Sequence, residues 1–211
     1  MKTDELIGLL ATGAGPAPRA VAARRLAPVM LGGAAASALL AVGFIGLVPE
    51  ALFAEGAWWA KLGYAAGLAM ALSWPFARLA RPVAHTRAPW RLVGAVVLAM
   101  VLLGSWQVLQ AEPGSRSQAL LGHSWASCPW NVLLLSLPAL GGAFWALRGL
   151  APTRPRAAGL AAGLLAGAVG AAGYALSCSE LSMAFVAVWY TLGIALAGAL
   201  GALLGPRLLR W

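Results

Sequence analysis

Long apolar stretches separated by short polar segments make up most of this chain, from about residue 26 onward. Each stretch holds about 20 residues, which is the length that an α-helix needs to cross the ~30 Å hydrocarbon core of a membrane. Apolar and polar residues do not alternate within the stretches, as they would in the strands of a β-barrel. The pattern predicts an all-α membrane protein with six transmembrane helices, near residues 26–48, 57–77, 90–110, 130–149, 157–177 and 183–205.

The composition agrees with this class. Hydrophobic residues make up 61% of the 211 residues and charged residues 10%, whereas a soluble globular domain carries about 25% charged residues. We expect two parts, a cytoplasmic N-terminal arm over residues 1–25 and a six-helix transmembrane domain over residues 26–211. No charged residue is predicted near the centre of any span. Because charges inside a membrane are costly and usually serve ion coupling, this counts against a proton- or sodium-coupled carrier.

The basic residues are distributed unevenly between the two ends of the predicted helices. Thirteen of the fifteen lysines and arginines fall on one side of the six-span arrangement, and only Lys61 and Arg116 fall on the other. Cytoplasmic loops of membrane proteins carry an excess of Lys and Arg, so both termini are expected in the cytoplasm. This asymmetry accounts for most of the net charge of +9, and direct binding to nucleic acid is not expected.

A short amphipathic helix is predicted within the arm, over residues 3–12. Thr3 can cap its first turn, and Asp4 lies where the helix dipole favours a negative charge. Its apolar positions are Leu6, Ile7, Leu9 and Leu10. A helix of two or three turns is marginal alone in water. It is therefore expected to dock on the membrane surface, on its own bundle or on a protein partner.

Small residues recur at four-residue spacing in the last two predicted spans. They are Gly159, Gly163 and Gly167 in the fifth span, and Ala197, Gly201 and Gly205 in the sixth. Such faces let membrane helices approach each other closely. The spacing predicts packing between helices and carries no information about function by itself.

The most chemically varied stretch is residues 123–130, of sequence His-Ser-Trp-Ala-Ser-Cys-Pro-Trp. It contains Cys128, and the other cysteine of the chain, Cys178, follows the fifth predicted span. Because two spans lie between the cysteines, both thiols are expected at the same, outer face. That face is oxidising in a bacterium and permits a disulfide.

Three interpretations of the cysteine pair stay open on residue chemistry alone. The thiols form a permanent disulfide or are inert, or they form a sensor that oxidation or a soft metal ion bridges. In a metal site His123 and Glu180 could add ligands, although their spacing is a weak metal-binding signature. The third interpretation is a thiol-oxidoreductase, which usually needs a CxxC motif that this chain lacks. We expect no catalytic activity and no cofactor.

The chain resembles the NrsF-type membrane anti-sigma factors, the negative regulators of sigma factor F in proteobacteria. The matching stretches are residues 1–11, 123–130, 185–193 and 201–207. The most specific of them is the second, with its Cys-Pro-Trp sequence. The six-span layout and the two outer cysteines about fifty residues apart also match, so the resemblance covers essentially the whole chain.

The resemblance implies a multi-pass regulator in the bacterial inner membrane. Such a protein would hold an extracytoplasmic-function sigma factor at the membrane and release it under chromate or cadmium stress. The sensing residues would be periplasmic Cys128 and Cys178. The sigma-contacting residues that we infer from the amphipathic arm are Asp4, Leu6, Ile7, Leu9 and Leu10. A small-solute or metal transporter is the first alternative, and a membrane thiol-oxidoreductase is the second.

Overall fold

The computed structural model describes residues 3–13, 21–80, 87–150 and 152–210. Every regular element in these ranges is helical, which confirms the predicted all-α class. The helices are α1 (Thr3–Gly13), α2 (Val21–Phe44), α3 (Gly56–Leu79), α4 (Arg87–Gln110), α5 (Arg116–Leu121), α6 (Cys128–Arg148), α7 (Pro155–Tyr174) and α8 (Met183–Leu208). A 3-10 turn, Glu50–Ala54, precedes α3, and a π turn, Val186–Tyr190, lies within α8.

Each predicted span corresponds to one long helix, with shifts of a few residues at the ends. Five of these helices, α2, α4, α6, α7 and α8, are long and apolar enough to cross a membrane. The helix α3 is as long as α2, at 24 residues, but is not among them. Its sequence contains Lys61 together with weakly apolar Trp, Tyr, Gly and Pro residues. The sixth span therefore stays a prediction.

The first span ends earlier than its predicted bounds, residues 26–48. The helix α2 stops at Phe44 because Gly46 adopts a φ of 98°, a conformation that residues with a side chain rarely take. The Val48 N–H then donates to the carbonyl oxygen of Leu176 at 3.0 Å. This hydrogen bond places the exit of α2 beside the exit of α7.

The helix α7 lies at the centre of the bundle and packs against α8, α6, α3 and α2. Its side chains are mostly small, so neighbouring backbones come close. A Cβ atom added at Gly159 would collide with the carbonyl oxygen of Gly201, and one added at Gly163 would collide with that of Ala197. The predicted small-residue faces are therefore confirmed as a backbone-to-backbone contact between α7 and α8.

The bundle has two ends of different chemistry. We call one the cysteine end, since it contains Cys128, Cys178, α5 and the start of α3. The other is the arginine end, where α2 and α7 begin and α6 and α8 end. There the Arg148 Nε donates to the carbonyl oxygen of Leu208 at 3.2 Å, which joins the last turns of α6 and α8.

Candidate functional site

The two cysteines are free thiols that lie together at the cysteine end. Cys128 is the first residue of α6 and has none of its surface exposed, and Cys178 follows α7 and is 3% exposed. The two thiol groups lie within electrostatic range of each other. The expected meeting of both thiols at one end is thus observed, and no disulfide joins them in this structure.

Lys61 occupies the centre of this site, and sequence reasoning missed its role. The side chain is fully buried, and its Nζ donates to the carbonyl oxygens of Cys178 at 2.5 Å and Glu180 at 3.0 Å. Both thiols and the Glu180 carboxylate lie within its electrostatic range. A buried ammonium group is tolerated only where acceptors replace its water. The two hydrogen bonds from Lys61 therefore help to hold the backbone of residues 178–180 in its conformation.

Two further hydrogen bonds hold the turn that leads from α7 to Cys178. The Trp58 indole Nε1 donates to the carbonyl oxygen of Ala175 at 3.0 Å, one turn before Lys61 on α3. The Val48 N–H bonds the carbonyl oxygen of Leu176. The carbonyl groups of four residues in this turn thus have partners from α3 or from the segment before it. The position of Cys178 depends on α3 as much as on its own helix.

Two tyrosines form the other wall of the thiol site. Tyr174 ends α7 and Tyr190 ends the π turn of α8, and their ring centroids are 5.7 Å apart. The Asn131 Nδ2 donates to the Tyr174 hydroxyl at 3.3 Å. The buried Tyr190 hydroxyl faces Cys178 and lies within electrostatic range of both thiols. Single π turns within α-helices often occur at functional sites. This one ends at Tyr190 and places that residue beside the cysteines.

Glu180 anchors the loop that leads into Cys128. Its Oε1 accepts from the His123 N–H at 2.6 Å, from the Ser124 N–H at 3.2 Å and from the Ser124 hydroxyl at 3.4 Å. The loop approaches the carboxylate at Gly122, whose φ of 55° and lack of Cβ permit the contact. Lys61 and Glu180 together therefore connect the segment before Cys128 to the segment after Cys178.

His123 and Glu180 were expected as possible auxiliary metal ligands. The His123 ring is exposed, and its Nδ1 lies 3.8 Å from Glu180 Oε1. Over the ranges that the structure describes, no group of three or more His, Cys, Asp or Glu side chains is arranged to hold a metal ion. A ligand role for either residue stays a prediction that would require rearrangement of this loop.

The start of α8 is capped by a side chain from α4. The Gln107 Oε1 accepts from the Met183 N–H at 2.7 Å and from the Ala184 N–H at 3.3 Å. The Ser182 hydroxyl donates to the carbonyl oxygen of Ala119 at 2.6 Å. The two bonds to Gln107 satisfy N–H donors that the first turn of a helix leaves free. They extend the hydrogen-bonded network of the cysteine end from α3 and α7 to α4, the loop 111–127 and α8.

The short amphipathic helix that was predicted in the arm over residues 3–12 is present as α1, Thr3–Gly13. Its Asp4 is exposed, and its apolar side chains Leu6 and Ile7 are 43% and 58% exposed. The side chains of Leu9 and Leu10, and all of residues 14–20 of the arm, lie outside the described residues. The arm precedes α2, and α2 begins at the arginine end. The candidate docking residues and the cysteines are thus attached to opposite ends of the bundle.

A sequence signal for Lys61 was present in the chain. Of the three basic residues inside the bounds of a predicted span, Lys61, Arg91 and Arg148, it is the one that lies on the side with few basic residues. This position is unusual under the charge asymmetry of membrane proteins. Tyr174, Tyr190 and Asn131 carried no such signal, because single polar residues near a span boundary are common.

Comparison with known proteins points to one family. A family model described as "Negative regulator of sigma F" (NrsF) matches residues 10–211. The chain is 40% identical over 213 residues to the probable anti-sigma-F factor NrsF of Azospira oryzae, with full coverage of both chains. It is also 40% identical over 215 residues to the anti-sigma-F factor NrsF of Caulobacter vibrioides, again with full coverage. No solved structure matches the chain.

Proposed function

Because this chain belongs to the NrsF family of negative regulators of sigma F, we propose that it is an anti-sigma factor of the bacterial inner membrane. It holds an extracytoplasmic-function sigma factor through its N-terminal arm. It releases that factor when its two cysteines react with an oxidant or with a heavy-metal species such as chromate or cadmium. The role is regulatory and not catalytic.

The observation that carries this proposal is the separation of two unlike features across the bundle. At one end lie two buried free thiols, and at the other begins an arm whose helix exposes Leu6 and Ile7. Five helices between them are long and apolar enough to cross a membrane. A transmembrane switch requires these parts, a reactive group on one side and a binding surface on the other.

The charge distribution supports the orientation in which the cysteines face the periplasm. Exposed arginines cluster at the arginine end, among them Arg24, Arg78, Arg91, Arg148 and Arg207. With α3 as the sixth span, both termini lie in the cytoplasm, where the sigma factor is. The thiols then face the compartment in which external oxidants and metal ions arrive first.

The two thiols permit two bridging reactions. A two-electron oxidant removes two electrons and two protons from Cys128 and Cys178, and one S–S bond forms. A soft metal ion such as Cd²⁺ instead displaces both protons and is held by the two thiolates. Either bridge pulls the segment after Cys178 toward the start of α6. Such movement strains the bonds that Lys61 and Glu180 make to the same segments.

The bridge need not supply the whole energy of the switch. Shifting an equilibrium from 1:99 to 99:1 takes about 5.5 kcal/mol of differential stabilisation, and a disulfide contributes roughly 2–4 kcal/mol. If the resting equilibrium is less one-sided than 1:99, the energy of a disulfide is enough to shift it. We infer that α6, α7 and α8 carry the change, since Cys128 begins α6 and Cys178 lies between α7 and α8.

The test of sigma binding is a pull-down of sigma factors by the detergent-solubilised chain. The full chain is expected to capture one extracytoplasmic-function sigma factor, and the variant without residues 1–20 is expected to capture none. The single variant Ile7→Asp should weaken capture strongly, because it places a charge in the apolar contact surface of α1.

The matched control is Leu121→Asp, since Leu121 is a comparably exposed apolar residue at the cysteine end. It introduces the same charge and should leave capture unchanged. If the chain without the arm still captures the sigma factor, the binding surface would instead lie in the loops of the arginine end. Failure of the folded full chain to capture any sigma factor would overturn the proposal.

The test of sensing is a double variant, Cys128→Ser with Cys178→Ser, in a reporter strain for the sigma regulon. Because serine neither forms a disulfide nor binds soft metals, the variant should keep the sigma factor bound and abolish induction by chromate and cadmium. Each single variant should also fail to respond, since a bridge needs both thiols. A double variant that still responds would remove the thiols from the mechanism.

A further inference from the structure

A groove at the arginine end lies between the start of α7 and the last turns of α8. Its polar part is formed by Arg156 of α7 with Arg207 and Arg210 from the end of α8. Its apolar wall is formed by Ala199, Ala202 and Leu203 of α8. A shallower depression, which Arg154 and Pro155 also line, adjoins it and shares Arg156 and Arg210. No function of the thiol site or of the arm uses this groove.

The three arginines of the groove have no protein partner in the part of the chain that the structure describes. All three side chains are exposed, and none forms an ion pair or a hydrogen bond there. An ion pair is present elsewhere in the described part of the chain, between His123 and Glu180, at the opposite end of the bundle. Three guanidinium groups with fifteen N–H donors therefore face one groove without acceptors.

The tight contact between α7 and α8 brings the backbone positions of the groove arginines close together. Gly205 packs against the carbonyl oxygen of Pro155, directly beside Arg156 and Arg207. Gly201 packs in the same way against Gly159, one turn deeper. Charges that only orient a membrane protein can lie anywhere in a loop, whereas Arg156 and Arg207 are brought together by two helices in close backbone contact.

The groove is amphipathic along its length. From Leu208, the last residue of α8, back to Ala199 the helix rises about 14 Å, at 1.5 Å per residue. The small side chains of Ala199 and Ala202 leave space beside Leu203 on the outer surface of α8. A ligand that fits both parts needs an anionic head and an apolar tail.

We propose that this groove binds an anionic phospholipid. Its phosphate accepts hydrogen bonds from Arg156, Arg207 and Arg210, and one acyl chain lies along Ala199, Ala202 and Leu203. Guanidinium groups match phosphate oxygens in charge and geometry, and basic pockets between transmembrane helices are suited to anionic head groups. Free phosphate would leave the apolar wall uncovered, and an acidic protein surface would not reach down it.

The test is a lipid titration of the full chain in detergent, followed by native mass spectrometry. The probes are phosphatidylglycerol and phosphatidylcholine with identical acyl chains, and inorganic phosphate. One phosphatidylglycerol is expected to bind with clear preference over phosphatidylcholine, and phosphate is not expected to displace it. The triple variant Arg156→Gln, Arg207→Gln, Arg210→Gln should weaken that binding roughly hundredfold.

The matched control is the triple variant Arg24→Gln, Arg78→Gln, Arg91→Gln. These arginines are exposed at the same end but lie outside the groove, so the change of charge is equal and binding should persist. A further variant, Ala202→Trp, fills the apolar wall and leaves the arginines intact. It should also reduce binding, which a site for the head group alone would not show.

Four results would overturn the proposal. They are equal binding of the two phospholipids, equal loss in the two triple variants, displacement by inorganic phosphate, and lipid binding that is unchanged in the groove variant. If sigma capture is lost in that last case, the groove is a protein contact. Because sigma capture is measured separately, failure of the lipid site leaves the anti-sigma proposal standing.

Discussion

At the scale of single residues, Lys61 shows how a buried charge can organise a turn. Its ammonium group donates to the carbonyl oxygens of Cys178 and Glu180, two residues of the loop that follows α7. Burial of the whole side chain makes these bonds the replacement for its hydration. Removal of the charge leaves two buried carbonyl groups without a donor.

We therefore expect Lys61→Met to loosen the segment that carries Cys178. The methionine keeps the length of the side chain but cannot donate, and each unsatisfied buried acceptor costs about 1–3 kcal/mol. The rate at which a maleimide labels the cysteines should rise by roughly tenfold or more, because 1.4 kcal/mol corresponds to a factor of ten. The measurement is the labelling rate in detergent, with thermal unfolding recorded in parallel.

The control for this prediction is Arg116→Met. Arg116 is the other basic residue of the cysteine end, and its side chain is exposed. It bonds only the nearby carbonyl oxygen of Ala111, at 3.2 Å. The same charge is lost, and the labelling rate should stay as in the parent chain. Equal labelling of the Lys61→Met chain and the parent chain would show that the lysine does not hold the turn.

The sequence predicted part of this site and not the rest. The parity of the spans placed Cys128 and Cys178 at one face, because an even number of crossings returns the chain to the same side. The burial of Lys61 could not be predicted in this way. Counting the basic residues on each side of the membrane does not show which carbonyl groups a lysine donates to. The anchoring of residues 123 and 124 by Glu180 was equally hidden, because it depends on a glycine with positive φ.

At the scale of helices, the contact between α7 and α8 depends on residues without side chains. Gly163→Ala places a methyl group against the carbonyl oxygen of Ala197. The two helices must then separate, at a cost of about 1–3 kcal/mol. Thermal unfolding in detergent is expected to shift to lower temperature by a corresponding amount.

Gly67→Ala is the matched control for that variant. A Cβ atom at Gly67, in the middle of α3, meets nothing within 4 Å. The substitution should be neutral or slightly stabilising, because alanine is favoured over glycine in a helix by up to about 1 kcal/mol. Equal effects of the two alanines would mean that the glycines of α7 do not set its distance from α8.

The four-residue spacing of small residues was sufficient to predict this contact. The ends of the helices were predicted less well, since Gly46 stops α2 before the apolar run itself stops. The π turn that brings Tyr190 to the thiols was not predictable from apolar pattern. The residues of α8 that precede it, Met183 and Ala184, are held by Gln107 of α4, and Gln107 and Met183 are 76 residues apart in sequence.

At the scale of the whole molecule, the proposed orientation can be measured with single cysteines in a chain otherwise free of them. In the variant Cys128→Ser, Cys178→Ser, the change Ser179→Cys places a thiol on an exposed position of the cysteine end. A membrane-impermeant maleimide should label it in intact spheroplasts. Labelling of Arg78→Cys, exposed at the arginine end, should require permeabilised membranes.

These two positions also report whether α3 crosses the membrane, because α3 lies between the cysteine end and Arg78. Labelling of Arg78→Cys from outside would contradict both the sixth span and the cytoplasmic arginine end. The helical membrane class was predictable because runs of 20 apolar residues have few other stable structures. The status of α3 was not, since Lys61, which is buried at the thiol site, and the weakly apolar Trp, Tyr, Gly and Pro residues of α3 reduce its apolar character.

The burial of both thiols determines how fast the molecule can react. Dissolved reagents meet these sulfur atoms only while the turn held by Lys61 is open, as with any buried group. At low concentrations the reaction rate rises in proportion to the reagent. At high concentrations it reaches a ceiling equal to the opening frequency. At such concentrations chemically different small reagents would react at the same rate. That common rate would be the opening rate of the turn, which its hydrogen bonds determine.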